Sequence, residues 1–436
     1  MDTTTAFTTA PRSGDSALDE GQVSLRRFPY PYRAAVSICS DIDETRTTEE
    51  FLEIQRFLNT KRATSMGEGV GLEIGNSFYF YDDQQHFSYF THDAHARQVI
   101  VDLIHASYID CLHSYGDAVA SRDEILRALY ELQRADCRLD VWVNHYGSRS
   151  NLSRKFEYMF IECRGDDPHS DVYHTDLTID YGIRFAWVGA TTRVIGQTLS
   201  HSTLPLSTVF DPRHPLSSSV SIVKEIRKQA LGRWGDERYA IHSQNRLMQV
   251  LRLADGRRIH EFMRYCHHPI SVGHGATSRG LAYVISKRAM AHLKATQGFM
   301  IVYTHLGKNS DCRAPIAEET QAALRNLECE YRDGQIYVTT TSKLLNYCLA
   351  CQYLAWSYQH TEGRLQIWID YLDDPVFGRQ LPTVQKLQGL TFHVPDSRTT
   401  NVYLRGIEVQ GLQRNPADDS GRESVTIPFT RLSFPY

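Results

Sequence analysis

The stretch Ala34–Thr47, AAVSICSDIDETRT, constrains this chain most. Residues 34–39 are small or apolar and partly β-branched, which suits a strand covered on both faces. That strand runs into two carboxylates, Asp41 and Asp43. From Thr47 the spacing turns helical: Phe51, Ile54 and Leu58 stand at i, i+3 and i+7, with Glu49 and Glu50 in the first turn. A strand that ends in acids and then becomes a helix is how α/β folds build sites, because ligands bind at the C-terminal ends of strands. Asp41 and Asp43 point to the same side of an extended chain. They repel there unless a cation or a shared proton relieves them. The alternative is that Asp43 caps the helix and Asp41 is a solvated loop acid.

The same switch from apolar strand to polar end recurs along the chain. Ser107–Asp117, SYIDCLHSYGD, reads as a short strand ending at Leu112 that delivers His113, Ser114, Tyr115, Gly116 and Asp117. His113 and Asp117 around a tight turn can face one point, and imidazole and carboxylate are ordinary ligands of zinc and related cations. Alternatively, Asp117 caps the helix expected over 121–134. Arg138–Val143 is a third strand, ending in Asn144 and His145, and 149–160 reads as helix. A fourth strand, 183–188, carries Trp187. The span 190–235, with Pro205, Pro212, Pro215 and a serine run, reads as a long irregular lid or insertion. A helix over 278–295 leads to the strand Phe299–Thr304, which ends in His305. Helices over 315–328 and 342–356 flank the strand Ile336–Thr340. From about Arg364 the pattern alternates like short strands separated by turn residues, so a small antiparallel β domain is expected.

Composition narrows the classes. The chain has 436 residues and a formal charge of −4, which gives no electrostatic case for nucleic acid or an acidic membrane. No apolar run reaches membrane-spanning length. Residues 1–29 read as a disordered tail without the basic start and apolar core of a secretory signal, so a cytoplasmic location is expected. Nine scattered cysteines argue for reduced thiols, and the Cys348/Cys351 pair lies within an apparent helix, as a core-facing pair would.

Taken together, Asp41/Asp43, His113/Asp117, Asn144/His145 and His305 meet on one rim if the strands form a parallel barrel. Their order resembles the polysaccharide deacetylase (NodB-homology) superfamily. The first motif of that family sets a base Asp and a metal-binding Asp at the end of the first strand, and S-D-I-D at Ser40–Asp43 matches it. The second motif, H-[ST]-x-x-H, reads here as H-S-Y-G-D, with His113 in place and Asp117 where the second His belongs. The late strand ending in a His is matched by FMIVYTH, Phe299–His305, and the segment 336–347 is also similar. The R-x-P-Y motif has no clear counterpart; Asn144–His145 occupies roughly its place, and Trp187 loosely matches the Trp-containing motif.

The resemblance implies an α/β fold: a distorted (β/α) barrel over 30–357, with the C-terminal antiparallel β domain at 358–436. It implies a metal-dependent hydrolase that deacetylates an N-acetylated sugar or polysaccharide precursor. The metal would be zinc, with manganese or magnesium as alternatives, on Asp43, His113 and Asp117. Asp41 would be the base and His305 the acid, with Tyr115, Asn144, His145 and Trp187 lining the substrate. Two other readings stay open: a glycoside or other C–N hydrolase, with Asp41 and Asp117 as flanking carboxylates, and a non-catalytic carbohydrate-binding relative. The expected partner is a carbohydrate; the oligomeric state is left open.

Overall fold

The computed structural model describes residues 8–9, 23–42, 45, 47–78, 80–81, 87–90, 93–116, 120–144, 148–152, 157–158, 161–200, 204–308 and 314–436. The chain divides into two compact units. One comprises Ala35–Asp333, Val338–Ser342 and Leu432–Tyr436; the other comprises Met1–Ala34, Gly334–Tyr337 and Lys343–Arg431.

The larger unit is a mixed α/β structure around a curled half-barrel sheet. Its strands are β1 (Ala34–Asp41), β2 (Gly75–Phe78), β3 (Ile109–His113), β4 (Val141–Val143), β5 (Phe185–Trp187), β6 (Thr191–Thr192), β7 (Met248–Arg252), β8 (Arg258–Phe262), β9 (Arg264–Tyr265), β10 (Phe299–Thr304) and β11 (Ile336–Thr339). The order across the sheet is β6-β9-β10-β1-β2-β3-β4-β5-β8-β7, with β11 also beside β1. Only the β7–β8 hairpin is antiparallel among the described pairings of this sheet. A single residue, Met263, separates β8 near one end of the path from β9 near the other. One chain segment thus serves both margins of the curled sheet.

All eight residues of β1 are buried, as its small and apolar sequence requires. Parallel strands then bring their C-terminal ends to one edge. The register pairs Thr304 with Ser40, Asp41 with Ser77, and His113 with Val143, which in turn pairs with Trp187. Helix α1 (Thr48–Asn59) follows β1 and is capped by Thr47, whose side chain accepts the Glu50 N–H at 3.1 Å. Helix α3 (Arg122–Arg134) is capped by Ser121, with Glu124 completing a capping box. The caps suggested for Asp43 and Asp117 therefore fall to other residues.

A buried amide network ties α1 to the sheet. Gln55 and Asn76 exchange bonds of 2.9 Å, and Asn76 Nδ2 donates to the Tyr108 carbonyl at 2.8 Å. Beside it, Gly75 is required: a Cβ there would lie 2.3 Å from Asp110 Oδ1. Asp110 is buried and accepts the Ser342 N–H at 2.7 Å.

Several elements differ from the sequence expectation. The span 190–235 holds a 19-residue helix, Pro215–Arg233, with Pro at its first turn. Its buried side is small and polar, Ser218, Ser221 and Glu225, whereas Leu216, Val220 and Val223 face outward. An inward apolar stripe, the usual signature, is missing. The helix expected over 149–160 is replaced at its end by the paired short strands Glu157–Tyr158 and Ile161–Glu162. The helix over 278–295 is two, Leu281–Val284 and Lys287–Thr296, interrupted at Ser286, which caps the second.

The smaller unit is built on two sheets. One pairs Leu354–Thr361 antiparallel with Arg364–Asp374 and the latter with Thr400–Leu404. That second pairing is parallel, unlike the expected all-antiparallel domain, because the long connection returns the chain to the starting end. The other sheet pairs Ser24–Leu25, within the segment expected as a tail, with Thr391–Val394 and then Glu423–Thr426. Arg26 anchors it through Asp418 at 3.0 Å. Cys348 and Cys351 lie on the helix Thr341–Tyr353, and burial pushes the Cys351 thiol up to about 12.

Asp110 yields a stability prediction. Burial pushes its carboxyl up to about 7, and Asp140 adds to the rise against the Ser342 N–H. Unfolded, the group titrates near ~4. The native state therefore holds an extra proton between those values, and stability from this group is lost as pH rises through about 7. Asp110→Asn should flatten the fall in unfolding free energy between pH ~4 and ~7, read by denaturant titration at both ends.

Candidate active site

The rim formed by the ends of β1, β2, β3, β5 and β10 gathers a buried polar cluster around Asp41. Alternation within strands puts Cys39 and Asp41 on one face of β1, and Tyr303 and His305 on one face at the end of β10. The β1–β10 register sets Cys39 opposite Tyr303, so Asp41 arrives beside His305. From β2, the partner of Asp41 is Ser77, and from β3 the terminal residue is His113.

Both oxygens of Asp41 are approached by neighbouring side chains. Ser77 Oγ donates to Oδ1 at 3.1 Å. At Oδ2, the Tyr303 hydroxyl donates, His113 Nε2 lies 3.1 Å away, and His305 Nε2 lies 3.8 Å away. The Tyr303 oxygen is also 3.0 Å from His305 Nε2. His305 Nδ1 is 2.9 Å from the Ala276 carbonyl. A carbonyl only accepts, so Nδ1 carries the hydrogen and Nε2 carries the lone pair when the ring is neutral. A protonated His305 donates from Nε2 instead. The carboxylate, the phenol and the imidazole thus form one chain along which a proton can be held at either end.

Arg264, the first residue of β9, completes the cluster. Its guanidinium carbon is 4.2 Å from the Trp187 ring centre and 4.3 Å from that of Tyr303. Those two rings are nearly parallel, 19° apart in plane and 6.4 Å between centres. Burial pushes the Arg264 pKa below its usual range, and neighbouring acidic groups, Tyr303 and Asp41 among them, oppose that. Each cation–ring contact contributes about 0.5–2 kcal/mol, less than the several kcal/mol that burial of an ion costs.

Of the residues singled out in the sequence, the structure brings together Asp41, His113, His305 and Trp187. Tyr115 is placed in the core, its hydroxyl 2.6 Å from Thr178 Oγ1 and its ring edge-on to His174. Burial pushes its phenol pKa upward. Asn144 Oδ1 accepts the Leu152 N–H at 2.9 Å, while Nδ2 has no partner among the described residues. Asp43, Asp117 and His145 lie outside the described residues. Among the described residues, no group of three His, Cys, Asp or Glu side chains is arranged to hold a metal ion.

Tyr303, Arg264 and Ser77 are additions that the sequence reading missed. Tyr303 was within reach, because a residue two before a rim histidine shares its face. Arg264 stands out in hindsight as a charge inside a run of apolar and aromatic residues, Phe262–Cys266. Ser77 depends on the β1–β2 register, which nothing local announces.

Compared with family models, with curated proteins and with solved structures, the chain matches none. Among the described residues, no helix is long and apolar enough to cross a membrane.

The cluster predicts its own energetics. Asp41→Ala removes the acceptor of Ser77 and of Tyr303 in a buried site, which should cost roughly 1–3 kcal/mol of stability in denaturant titration. Tyr303→Phe should cost about 1 kcal/mol, since Asp41 keeps Ser77 and His113.

Proposed function

We propose that this protein is a hydrolase of the deacylating type, acting on an N-acylated sugar or sugar polymer at the Asp41–Tyr303–His305 rim. The observation that carries the reading is the single buried junction at Asp41 Oδ2, which one phenol and two imidazoles approach from two other strands. Hydrolysis of an amide needs a base for water and an acid for the departing amine. Asp41 accepts the water proton. His305, protonated at Nε2, gives its proton to the amine nitrogen. That leaves Asp41 protonated and His305 neutral. The Tyr303 hydroxyl then takes the proton from Asp41 while passing its own to His305 Nε2, which restores both groups for the next turnover. His113 and Ser77 hold the carboxylate in place. The curled sheet with its functional edge at the strand ends supports the deacetylase-type barrel as the finer reading of the fold.

A divalent cation belongs to this proposal through the resemblance, with Asp43, His113 and Asp117 as its ligands. The described part of that set is His113, whose Nε2 already converges on a carboxylate, and imidazole with carboxylate is a donor set that suits zinc. When bound, the cation supplies polarisation of the acyl oxygen and a more acidic water.

The test is acetate release from N-acetylated amino-sugar oligomers by the purified protein, alongside its metal content. Asp41→Asn and His305→Gln should each slow release by about 10²–10⁴-fold with little change in fold. His113→Ala should lower metal content. Wild-type rates in Asp41→Asn would overturn the proposal. Full metal occupancy in both His113→Ala and Asp43→Ala would take that ligand set out of the proposal and leave Asp41 and His305 as the acid–base pair.

A further inference from the structure

Arg264 stands apart within the cluster. It is 2% exposed, yet its Nε and Nη1 are buried without a hydrogen-bond acceptor among the described residues. Asp41 does not answer it, since its oxygens are engaged by Ser77, Tyr303 and His113. The neighbours that do contact the guanidinium are the rings of Trp187, Tyr303 and Phe262, which accept a cation on their faces but leave Nε and Nη1 unanswered. A buried guanidinium with spare donors is an expensive way to fill space, and a methionine or leucine would pack there without that cost. Buried polar groups left unpaired in a folded protein call for an explanation, and an acceptor brought by a ligand is one.

The position of the charge indicates what brings that acceptor. Arg264 rests on the Tyr303 ring, and the hydroxyl of that ring reaches both Asp41 and His305. Whatever binds the guanidinium therefore lies one side chain from the reacting groups. We propose that Arg264 is an anion-recognition residue: an acidic group carried by the substrate, a carboxylate or a phosphate, pairs with its unanswered N–H groups. Trp187, stacked beside it, gives the accompanying ring an aromatic wall. The proposal rests on the hydrolase reading for the identity of the reacting end, but anion binding itself needs no turnover. It sorts substrates: acylated amino sugars that bear an acidic group are accepted, and neutral ones are poor ligands.

Equilibrium binding to the full chain tests this with three probes that share one ring: N-acetylglucosamine, N-acetylmuramic acid and N-acetylglucosamine 1-phosphate. Calorimetry should show at least one acidic probe binding about 10- to 100-fold more tightly than the neutral one, the range expected of hydrogen bonds to a charged group. The carboxylate and phosphate probes separate the two sources of charge. Arg264→Gln should bring the acidic probes down to the neutral level, and Arg264→Lys, which keeps charge without the planar fork, should fall between. His305→Gln should keep the preference while losing acetate release. Equal binding of all three probes to the wild type overturns the proposal even if Arg264→Gln fails to fold, and so does a preference that survives in a folded Arg264→Gln. Anion preference in a wild type that releases no acetate would instead sink the hydrolase reading and leave the anion site standing.

Discussion

A carboxylate sealed inside a protein must be answered, and the arrangement at the rim follows from answering Asp41. Removing a charged carboxyl from water costs several kcal/mol unless hydrogen bonds replace the lost solvent. Here Ser77 from β2 and Tyr303 from β10 supply hydrogen bonds, and His113 from β3 and His305 after β10 set ring nitrogens 3.1 and 3.8 Å from the carboxylate, on strands that are neighbours only because the sheet is parallel. Parallel pairing is what delivers all of these ends to one edge. The small residues of β1 serve the same end, since a strand covered on both faces can present its last side chain in a dry setting.

That dryness gives the junction its chemical use. In water a phenol, an imidazole and a carboxylate exchange protons with solvent. Among these side chains, the Tyr303 oxygen sits within hydrogen-bond reach of both the acid and the base, and the fixed Nδ1–H bond of His305 to the Ala276 carbonyl orients the ring. Positioning of this kind is a large part of what acid–base groups contribute to a rate. The unanswered guanidinium of Arg264 extends the same logic from reaction to recognition, because a charge left without a partner in a dry place selects for a ligand that brings one.

The sequence disclosed what local pattern can disclose. The strand Ala34–Asp41, the helix after Thr47 and the β10 strand running to His305 were legible because burial and periodicity mark them directly. Asp41, His113, His305 and Trp187 were legible because each stands where an apolar run ends. Pairing decisions were not: nothing in the residues around Ser77 says that it will sit opposite Asp41. Tyr115 read as a rim residue because it follows His113, yet its hydroxyl finds Thr178 in the core. The helix Pro215–Arg233 was missed for a reason of the same kind, since its inward side is serine and glutamate rather than an apolar stripe. Propensity reports a residue's own backbone, while register and tertiary contact decide its company.

The central claim is that Tyr303 and His305 act as one unit on Asp41. A double-mutant cycle in acetate release, with Tyr303→Phe, His305→Gln and the combined variant, addresses it directly. Groups that share one proton path should not lose activity independently, so the combined variant should be about as slow as the slower single variant. Losses that multiply would show that the phenol and the imidazole work separately, and would contradict the account.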